Sequence, residues 1–506
     1  MIKLQKIDNM RTEAIISDNS REGGCEMKRK HMWMIITLLV CLLMITGSTI
    51  FATSVVRSSE ENKEEAISYD TFSAWTDIEE FQTIPVMEGA NAKIGEAANY
   101  GGKNQMVQVN DTTVEEYKEY LTTLEKNGFK KHSDNGEDGM EGNAYTAAYT
   151  KGDLSVVVTQ LIKGNKTYIS VMNDVELSER MIYKDEYVEG VPADAKTKIH
   201  LLELNNNGAC LIIQLKNGHF VVHDGGNEYD AIYLLEFLEL LTPGDEIPVV
   251  EGWFISHPHG DHFGALQEIA DKTAYLKRIY VNEIFFHVPP AEMLTAENPA
   301  TSDLLSKIHG LFTAENGKPA KGHNPQFGQR FYFCDVMIDT CMTTDQMDPE
   351  SYYSTDVNDT SSWFMNHIEG QRILFAGDAS HGGQRSVMNM YDKSYFELDV
   401  FVVLHHGMNV YQYFNEYIKA KTILYPSFNL GSIYTNKYPQ FARLEENAQL
   451  RESAEEAYTC GGGTMTLTFP YKVGEAKKAA PCEWKYNGGV PKERYNTNWG
   501  WDYEEK

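Results

Sequence analysis

The segment His257-Pro258-His259-Gly260-Asp261-His262 sets three imidazoles and a carboxylate within six residues. Neutral imidazole nitrogen and carboxylate oxygen suit zinc, and similarly iron or manganese, better than calcium. In extended backbone His257 and His259, two residues apart, project from the same side. Gly260 is expected to permit a sharp turn that carries Asp261 and His262 into the same space. Divalent cations held there lower the pKa of water from about 15.7 toward roughly 7 and stabilise negative charge on an attacked group. Hydrolysis then needs no serine or cysteine nucleophile. Two further apolar runs end in residues of the same kind: "ILFAGD" closes on Asp378, and "VFVVLHHG" on His405-His406-Gly407.

The elements around these residues explain their placement. "PVVEGWFIS" reads as a buried strand and "GALQEIADK" as a helix, so the histidine cluster sits where a strand's carboxyl end turns into a helix, the usual site edge of open α/β folds. From about Lys198 the pattern alternates. "IHLLELNNNGACLIIQLKNGHFVVHDGG" gives strands broken by Asn-Gly turns, "DAIYLLEFLELL" a helix, "RIYVNEIFF" a strand, "SDLLSKIHGLF" a helix, and "SSWFMNHIEGQRILFAGD" and "LDVFVVLHHG" further strands. A layered α/β domain with mixed sheets is expected over residues 181–506, tail included. A smaller α+β domain, residues 67–180, precedes it. There "VEEYKEYLTTLEKNGF" is helical with Gly128 as its stop, and "AYTAAYT", "LSVVVTQLI" and "KTYISVMN" form a strand meander. It carries no catalytic constellation.

Taken together, His257-x-His259-x-Asp261-His262, Asp378 and His405-His406 resemble the metallo-β-lactamase superfamily. The run "NDTSSWFMNHIEGQRILFAGD" with "LHHG" is similar to the exported hydrolase domain of ComEC-type competence proteins. The resemblance covers roughly Lys198 to Tyr471 and implies an αββα four-layer sandwich with two divalent metal ions at one edge, Zn2+ first and Mn2+ or Fe2+ as alternatives. It implies that His257 and His259 bind one metal, that Asp261 and His262 bind the second, that Asp378 bridges them, and that one of His405 and His406 completes the second site. Asp261 and Asp378 would be the catalytic carboxylates, neutralising metal charge and orienting the nucleophile. Asp224 in "VVHDGG" would support the metal loop through hydrogen bonds rather than bind metal. The superfamily often adds a histidine between the first motif and the bridging aspartate; His287, His323 and His367, with His381 just beyond, are the candidates. Related ComEC-type domains carry a late His-Pro pair where this chain has Tyr438-Pro439, leaving Tyr438 as a candidate oxyanion donor.

Location and charge narrow the substrate. "KRKH" at Lys28–His31 precedes the apolar run Met32–Val56, which reads as a signal peptide or a single membrane anchor. Residues 1–31 are then a cytoplasmic or mis-assigned leader, with Met27 the expected start, and 57–66 a charged linker. The expected product is exported, extracellular or cell-surface. The whole chain carries a net charge of −28, and residues 57–506 hold 38 Lys/Arg against 68 Asp/Glu, a net of −30. That acidity disfavours polyanion binding. Cys210, Cys334, Cys341, Cys460 and Cys482 read mainly as buried apolar residues, with a Cys460–Cys482 disulfide open. The expectation is an exported metal-dependent hydrolase, a phosphodiesterase or esterase, acting on a cell-surface or small-molecule substrate. Trp484, Tyr486, Trp499 and Trp501 in the tail either stack on that substrate or cover the domain surface. The alternatives are a ComEC-like nuclease and a non-catalytic exported binding protein on the same scaffold.

Overall fold

The computed structural model describes residues 80–87, 93–100, 104–173, 175–205, 207–287, 289, 320–346, 357–408, 410–426 and 444–480. The leader, apolar run and linker expected over 1–66, the helix expected in "SDLLSKIHGLF", Tyr438, Cys482 and the four tail aromatics lie outside them. Among the described residues no helix is long and apolar enough to cross a membrane.

A six-stranded antiparallel sheet comes first, built from β1 (Lys93–Tyr100), β2 (Asn104–Asn110), β3 (Lys130–Asp134), β4 (Ala144–Lys151), β5 (Leu154–Leu161) and β6 (Lys166–Asn173) in the order β1-β2-β6-β5-β4-β3. Helix α1 (Val114–Lys126) begins at a capping box: the Thr113 hydroxyl accepts the Glu116 N–H and the Glu116 carboxylate accepts the Thr113 N–H. Its Tyr117, Tyr120 and Leu124 pack on Val107, Val109, Val156 and Ile169 of one sheet face. The other face is also buried. Ala144, Leu161 and Tyr168 join a core with Phe327 and Trp363, and Ala148, Val157 and Met172 join one with Phe331 and Ile368. Burial on both faces is why Val156, Val157 and Val158 of β5 are consecutive apolar residues instead of alternating with polar ones, Val156 and Val158 facing the helix side and Val157 the other. Thr159 Oγ1 donates to the Phe327 carbonyl at 2.8 Å, and Lys163 Nζ donates to the Tyr391 carbonyl at 2.7 Å. A Cβ on Gly328 would lie 1.9 Å from Thr146 Oγ1, so the 326–329 segment rests directly on this sheet.

The remaining strands form two sheets packed face to face. In the first, β7 (Lys198–Leu201), β8 (Cys210–Gln214) and β9 (Phe220–Asp224) run antiparallel, and β10 (Val249–Ile255), β11 (Tyr280–Phe286) and β12 (Lys321–His323) continue parallel to β9. In the second, β13 (Arg330–Phe333), β14 (Val336–Met342), β15 (Trp363–Ile368) and β16 (Gln371–Phe375) are antiparallel, and β17 (Glu397–Val402), β18 (Lys419–Tyr425) and β19 (Glu456–Thr459) run parallel to β16. β20 (Met465–Thr468) and β21 (Lys477–Lys478) return to complete the β7 side of the first. Between the sheets Phe254 stacks on Phe285, centroids 4.4 Å apart, with Phe331, Phe333 and Phe364 around them. Each such ring, fully buried, contributes about 1.5–3 kcal/mol.

Helices α2 (Ala231–Leu241), α3 (Gly260–Asp271) and α4 (Thr273–Leu276) cover the outer side of the first sheet through Leu234, Leu238, Phe263 and Leu266. Helices α5 (His381–Met390), α6 (Gln412–Asn415) and α7 (Leu444–Ser453) cover the outer side of the second through Val387, Phe414 and Leu450. The result is a mixed α/β helix–sheet–sheet–helix sandwich. The carboxyl ends of β9, β10, β16, β17 and β18 converge on one edge, where Asp224 ends β9 and His257, Asp378, His405 and Pro426 follow the other four.

Candidate metal centre

β10 ends at Ile255, His257 follows two residues on, and His259, in extended backbone, is the N-cap of α3. His257 Nε2 lies 3.0 Å from His259 Nδ1. The sharp turn expected of Gly260 is absent. Its φ is not positive, and a Cβ there would meet nothing within 4 Å. Gly260 is simply the first helical residue, and the first turn of α3, at roughly 100° per residue, brings Asp261 and His262 round.

Asp378 and the histidine pair arrive from the second sheet. The Asp378 N–H donates to Ser361 Oγ at 3.1 Å. Gly377 has φ +52, and a Cβ on it would lie 2.5 Å from Ser256 Oγ, so the two loops meet only because this residue has no side chain. His405 and His406 are both left-handed, φ 46° and 54°, a conformation costing about 1–2 kcal/mol per residue outside glycine. The turn is fastened by the His405 N–H on the Gly377 carbonyl at 3.1 Å and by Asn447 Nδ2 on the Gly407 carbonyl at 2.7 Å. Both imidazoles consequently approach one carboxylate: His405 Nε2 is 3.6 Å and His406 Nε2 3.3 Å from Asp378 Oδ2.

Asp261, His262, Asp378 and His406 each place one ligand atom within 4.8 Å of all the others. His262 Nε2 lies 3.0 Å from Asp378 Oδ1, and His406 Nε2 lies 3.3 Å from Asp261 Oδ2. Ligands bound tetrahedrally at 2.0–2.1 Å stand about 3.3 Å apart, so these separations fit a divalent cation. The donor atoms fit as well. His262 Nε2, His406 Nε2 and Asp378 Oδ1 are buried and lack hydrogen-bond partners, a state that costs about 1–3 kcal/mol per atom unless something else satisfies it. His257 Nε2 stands 4.0 Å from Asp378 Oδ2, on the side where His259 lies.

Hydrogen bonds fix which nitrogens face inward. Asp224, fully buried, accepts from the Ser256 N–H at 2.7 Å, from Ser256 Oγ at 2.7 Å and from His262 Nδ1 at 2.6 Å. Since Ser256 Oγ gives its proton to Asp224, it accepts from His257 Nδ1 at 3.0 Å. His406 Nδ1 donates to the Pro426 carbonyl at 3.0 Å. In the neutral form of each ring, the form that can bind a cation, these partners keep the proton on Nδ1 and leave Nε2 its lone pair for the centre.

Burial and charge compete at each group. Burial disfavours charge on His262, yet the carboxylates of Asp378, Asp224 and Asp261 hold its pKa well above the ordinary value. His406 is pushed up to about 9, against its burial, by Asp378 and Asp261. Burial raises Asp378, but His262, His406 and His405 overcome it and hold the carboxyl well below the usual range. His257 is pushed down by burial and by the neighbouring imidazoles of His262 and His259.

The four histidines named as candidates for a further ligand are engaged elsewhere. His287 has Nδ1 3.0 Å from the Pro325 carbonyl and Nε2 2.9 Å from Asp345 Oδ1. His323 faces the Glu176 carbonyl at 3.1 Å and Glu283 at 2.9 Å, His367 faces Asp339 at 3.2 Å, and His381 faces the Tyr413 hydroxyl at 2.8 Å. Ser256, Ser361, Asn447 and Asp359, whose carboxylate accepts the Gly383 N–H at 3.0 Å at the start of α5, are supports that the sequence reading did not single out. The buried polar run Asn358–Ser362, set just before a strand, was the available signal for two of them.

Residues 205–407 match the family model described as Metallo-beta-lactamase superfamily. Every ligand candidate above lies within that span, and the six-stranded sheet lies outside it. Among solved structures the chain is similar to Zn(2+)-bound PqqB from Methylobacterium extorquens, at 8% identity over 38% of this chain and 58% of that one, TM-score 0.26. It is similar to a long form RNase Z from yeast at 9% identity, over 57% of this chain and 50% of that one, TM-score 0.33. It is similar to unliganded yeast PDE1 at 12% identity, over 52% of this chain and 97% of that one, TM-score 0.32. The chain thus spans 58% and 50% of the lengths of the first two. No curated protein matches it.

Proposed function

We propose that this chain, a metallo-hydrolase by its metallo-beta-lactamase superfamily domain, is exported and hydrolyses a phosphodiester or ester in a cell-surface or small-molecule substrate. The observation that carries the reading is the set of inward-facing donors of Asp261, His262, Asp378 and His406, with three of those atoms buried and otherwise unsatisfied. Divalent cations, zinc by the nitrogen-rich donor set, supply Lewis acidity there: they acidify water and stabilise negative charge on the attacked group. The protein does the rest. Asp261 and Asp378 offset the cationic charge. Asp224 and the Pro426 carbonyl hold the protons of His262 and His406 on Nδ1, so their Nε2 atoms remain donors. The Asp261 side chain is 31% exposed while those of His262 and His406 are closed off, which marks the Asp261 side as the mouth through which substrate approaches.

Export rests on the apolar run Met32–Val56 behind Lys28-Arg29-Lys30. A single phosphodiester or ester is favoured over long DNA by the net charge of −30 over residues 57–506, and by the non-basic residues Ser256, Phe263, Ala265 and Met408 beside the ligand loops. The ComEC-like nuclease reading is the alternative that this charge opposes. A panel of nitrophenyl phosphodiester, phosphomonoester, ester and lactam substrates, with metal content measured on the same sample, tests the proposal. Chelator-sensitive turnover of a phosphodiester or ester supports it; turnover of the lactam alone would contradict it.

A further inference from the structure

We propose that His405 and His406 are not alternatives but ligands to different metal ions: His406 completes the position of Asp261 and His262, and His405 is the third imidazole of the position opened by His257 and His259. The inference rests on the dinuclear reading of the site and assigns a donor that the reading had left unfilled.

Three observations carry it. One is Asp378 Oδ2, a single oxygen within reach of three imidazoles: His406 Nε2 at 3.3 Å, His405 Nε2 at 3.6 Å and His257 Nε2 at 4.0 Å. His406 also reaches Asp261 Oδ2 at 3.3 Å, which places it with the second ion. His257 stands 3.0 Å from His259 Nδ1, a separation close to the roughly 3.3 Å between ligands of one tetrahedral ion. Asp378 Oδ2 is thus within reach of donors from both positions, and since Asp261, His262, Asp378 and His406 already make a four-donor set, His405 is the donor left for the other.

The second observation is the backbone. In a continuing strand adjacent side chains point to opposite sides, so one of two consecutive histidines would face away from the carboxylate. Two successive left-handed residues, φ 46° and 54°, cancel that alternation and turn both rings toward Asp378. Strain of this kind in non-glycine residues persists where the surroundings impose it, and it concentrates at functional sites.

The third is the commitment of every other histidine weighed for this role. His287, His323, His367 and His381 each have a ring nitrogen engaged by Asp345, Glu283, Asp339 or Tyr413, and none lies as close to Asp378 as His405 does. The His405 side chain is 13% exposed, so it is held at the rim of the site rather than free in solvent.

Metal stoichiometry tests the assignment without reference to turnover. His405→Asn and His405→Gly both tolerate the left-handed turn, so His406 keeps its place, and circular dichroism verifies the fold. After equilibrium dialysis against Zn2+, the wild-type chain is expected to hold two ions. His405→Asn and His257→Asn are each expected to hold one, with affinity for the lost ion down by about 100-fold or more, beyond the loss typical of an outer hydrogen-bond partner. The double variant His257→Asn/His405→Asn is expected still to hold one, because both residues serve the same ion. His405→Asn/His406→Asn is expected to hold neither. His405→Asn retaining two ions at wild-type affinity, or losing both, overturns the assignment. A wild-type chain that binds only one ion overturns it as well, and also the dinuclear reading beneath it, a failure identified by the wild-type measurement alone.

Discussion

Asp224 Oδ2 lies 2.6 Å from His262 Nδ1 and 2.7 Å from Ser256 Oγ, and Ser256 Oγ lies 3.0 Å from His257 Nδ1. One buried carboxylate oxygen therefore sets the tautomer of two candidate ligands, directly for His262 and through a hydroxyl for His257. Asp224→Asn keeps the shape but turns an NH2 group toward His262 Nδ1, which favours the proton on Nε2, the wrong nitrogen. Metal affinity is expected to fall about 10–100-fold with the fold retained, as read by competition with a chromogenic chelator. Wild-type affinity in this variant would show that Asp224 does not control the ligand tautomers.

His223, one residue earlier, faces the opposite side of the sheet. It is buried among Phe254, Phe364 and Phe375 and donates to Asn366 Oδ1 at 2.7 Å. Burial pushes its pKa down to about 4 from an ordinary 6.5. Unfolding therefore takes up a proton between those values, so stability falls as pH drops through that window and levels off below it. The expected loss is about 3 kcal/mol. His223→Gln keeps a donor for Asn366 and removes the titration; the difference between wild-type and variant denaturation midpoints should shrink from pH 7 to pH 4. A difference that stays constant with pH would show that His223 does not contribute to acid lability.

The contrast between these two neighbours shows what sequence carries and what it does not. The cluster from His257 to His262 is legible because its geometry is local, an extended segment followed by the first turn of a helix. Asp378 and the histidine pair are legible as polar residues ending apolar strands. Ser256, Ser361 and Asn447 are ordinary residue types whose partners lie far away in sequence, so only the folded chain reveals their roles. The left-handed turn at His405-His406 is invisible for a similar reason: Gly377 and Asn447, from other elements, fasten it. In the first sheet, β1 ("KIGEAANY") has too few β-branched or aromatic residues to announce a strand, whereas the valines of β5 mark one plainly.

Salt separates the substrate classes. A long polyanion held in a basic groove would lose about 0.7 to 0.9 log units of affinity per tenfold salt for every phosphate contact. The acidic chain and the non-basic ligand loops predict a shallow dependence, less than the equivalent of two contacts, for the substrate that is turned over. A steep slope with single- or double-stranded DNA, together with chelator-sensitive cleavage, would replace the proposed substrate class with a nuclease.

Asp378 offers the most direct test of the central claim, because one of its oxygens lies 3.0 Å from His262 Nε2 and the other 3.3 Å from His406 Nε2 and 3.6 Å from His405 Nε2. The measurement is metal content and phosphodiester turnover on the same purified samples of wild type and Asp378→Ala, before and after chelation. The expected result is about two divalent ions and chelator-sensitive turnover for wild type. Asp378→Ala is expected to fold, to lose metal affinity, and to turn over more than about 100-fold more slowly, a larger loss than an outer hydrogen-bond partner causes. Fewer than about one ion per wild-type chain with no chelator-sensitive hydrolysis, or wild-type turnover in Asp378→Ala at saturating metal, would contradict a metal-dependent hydrolase built on this site.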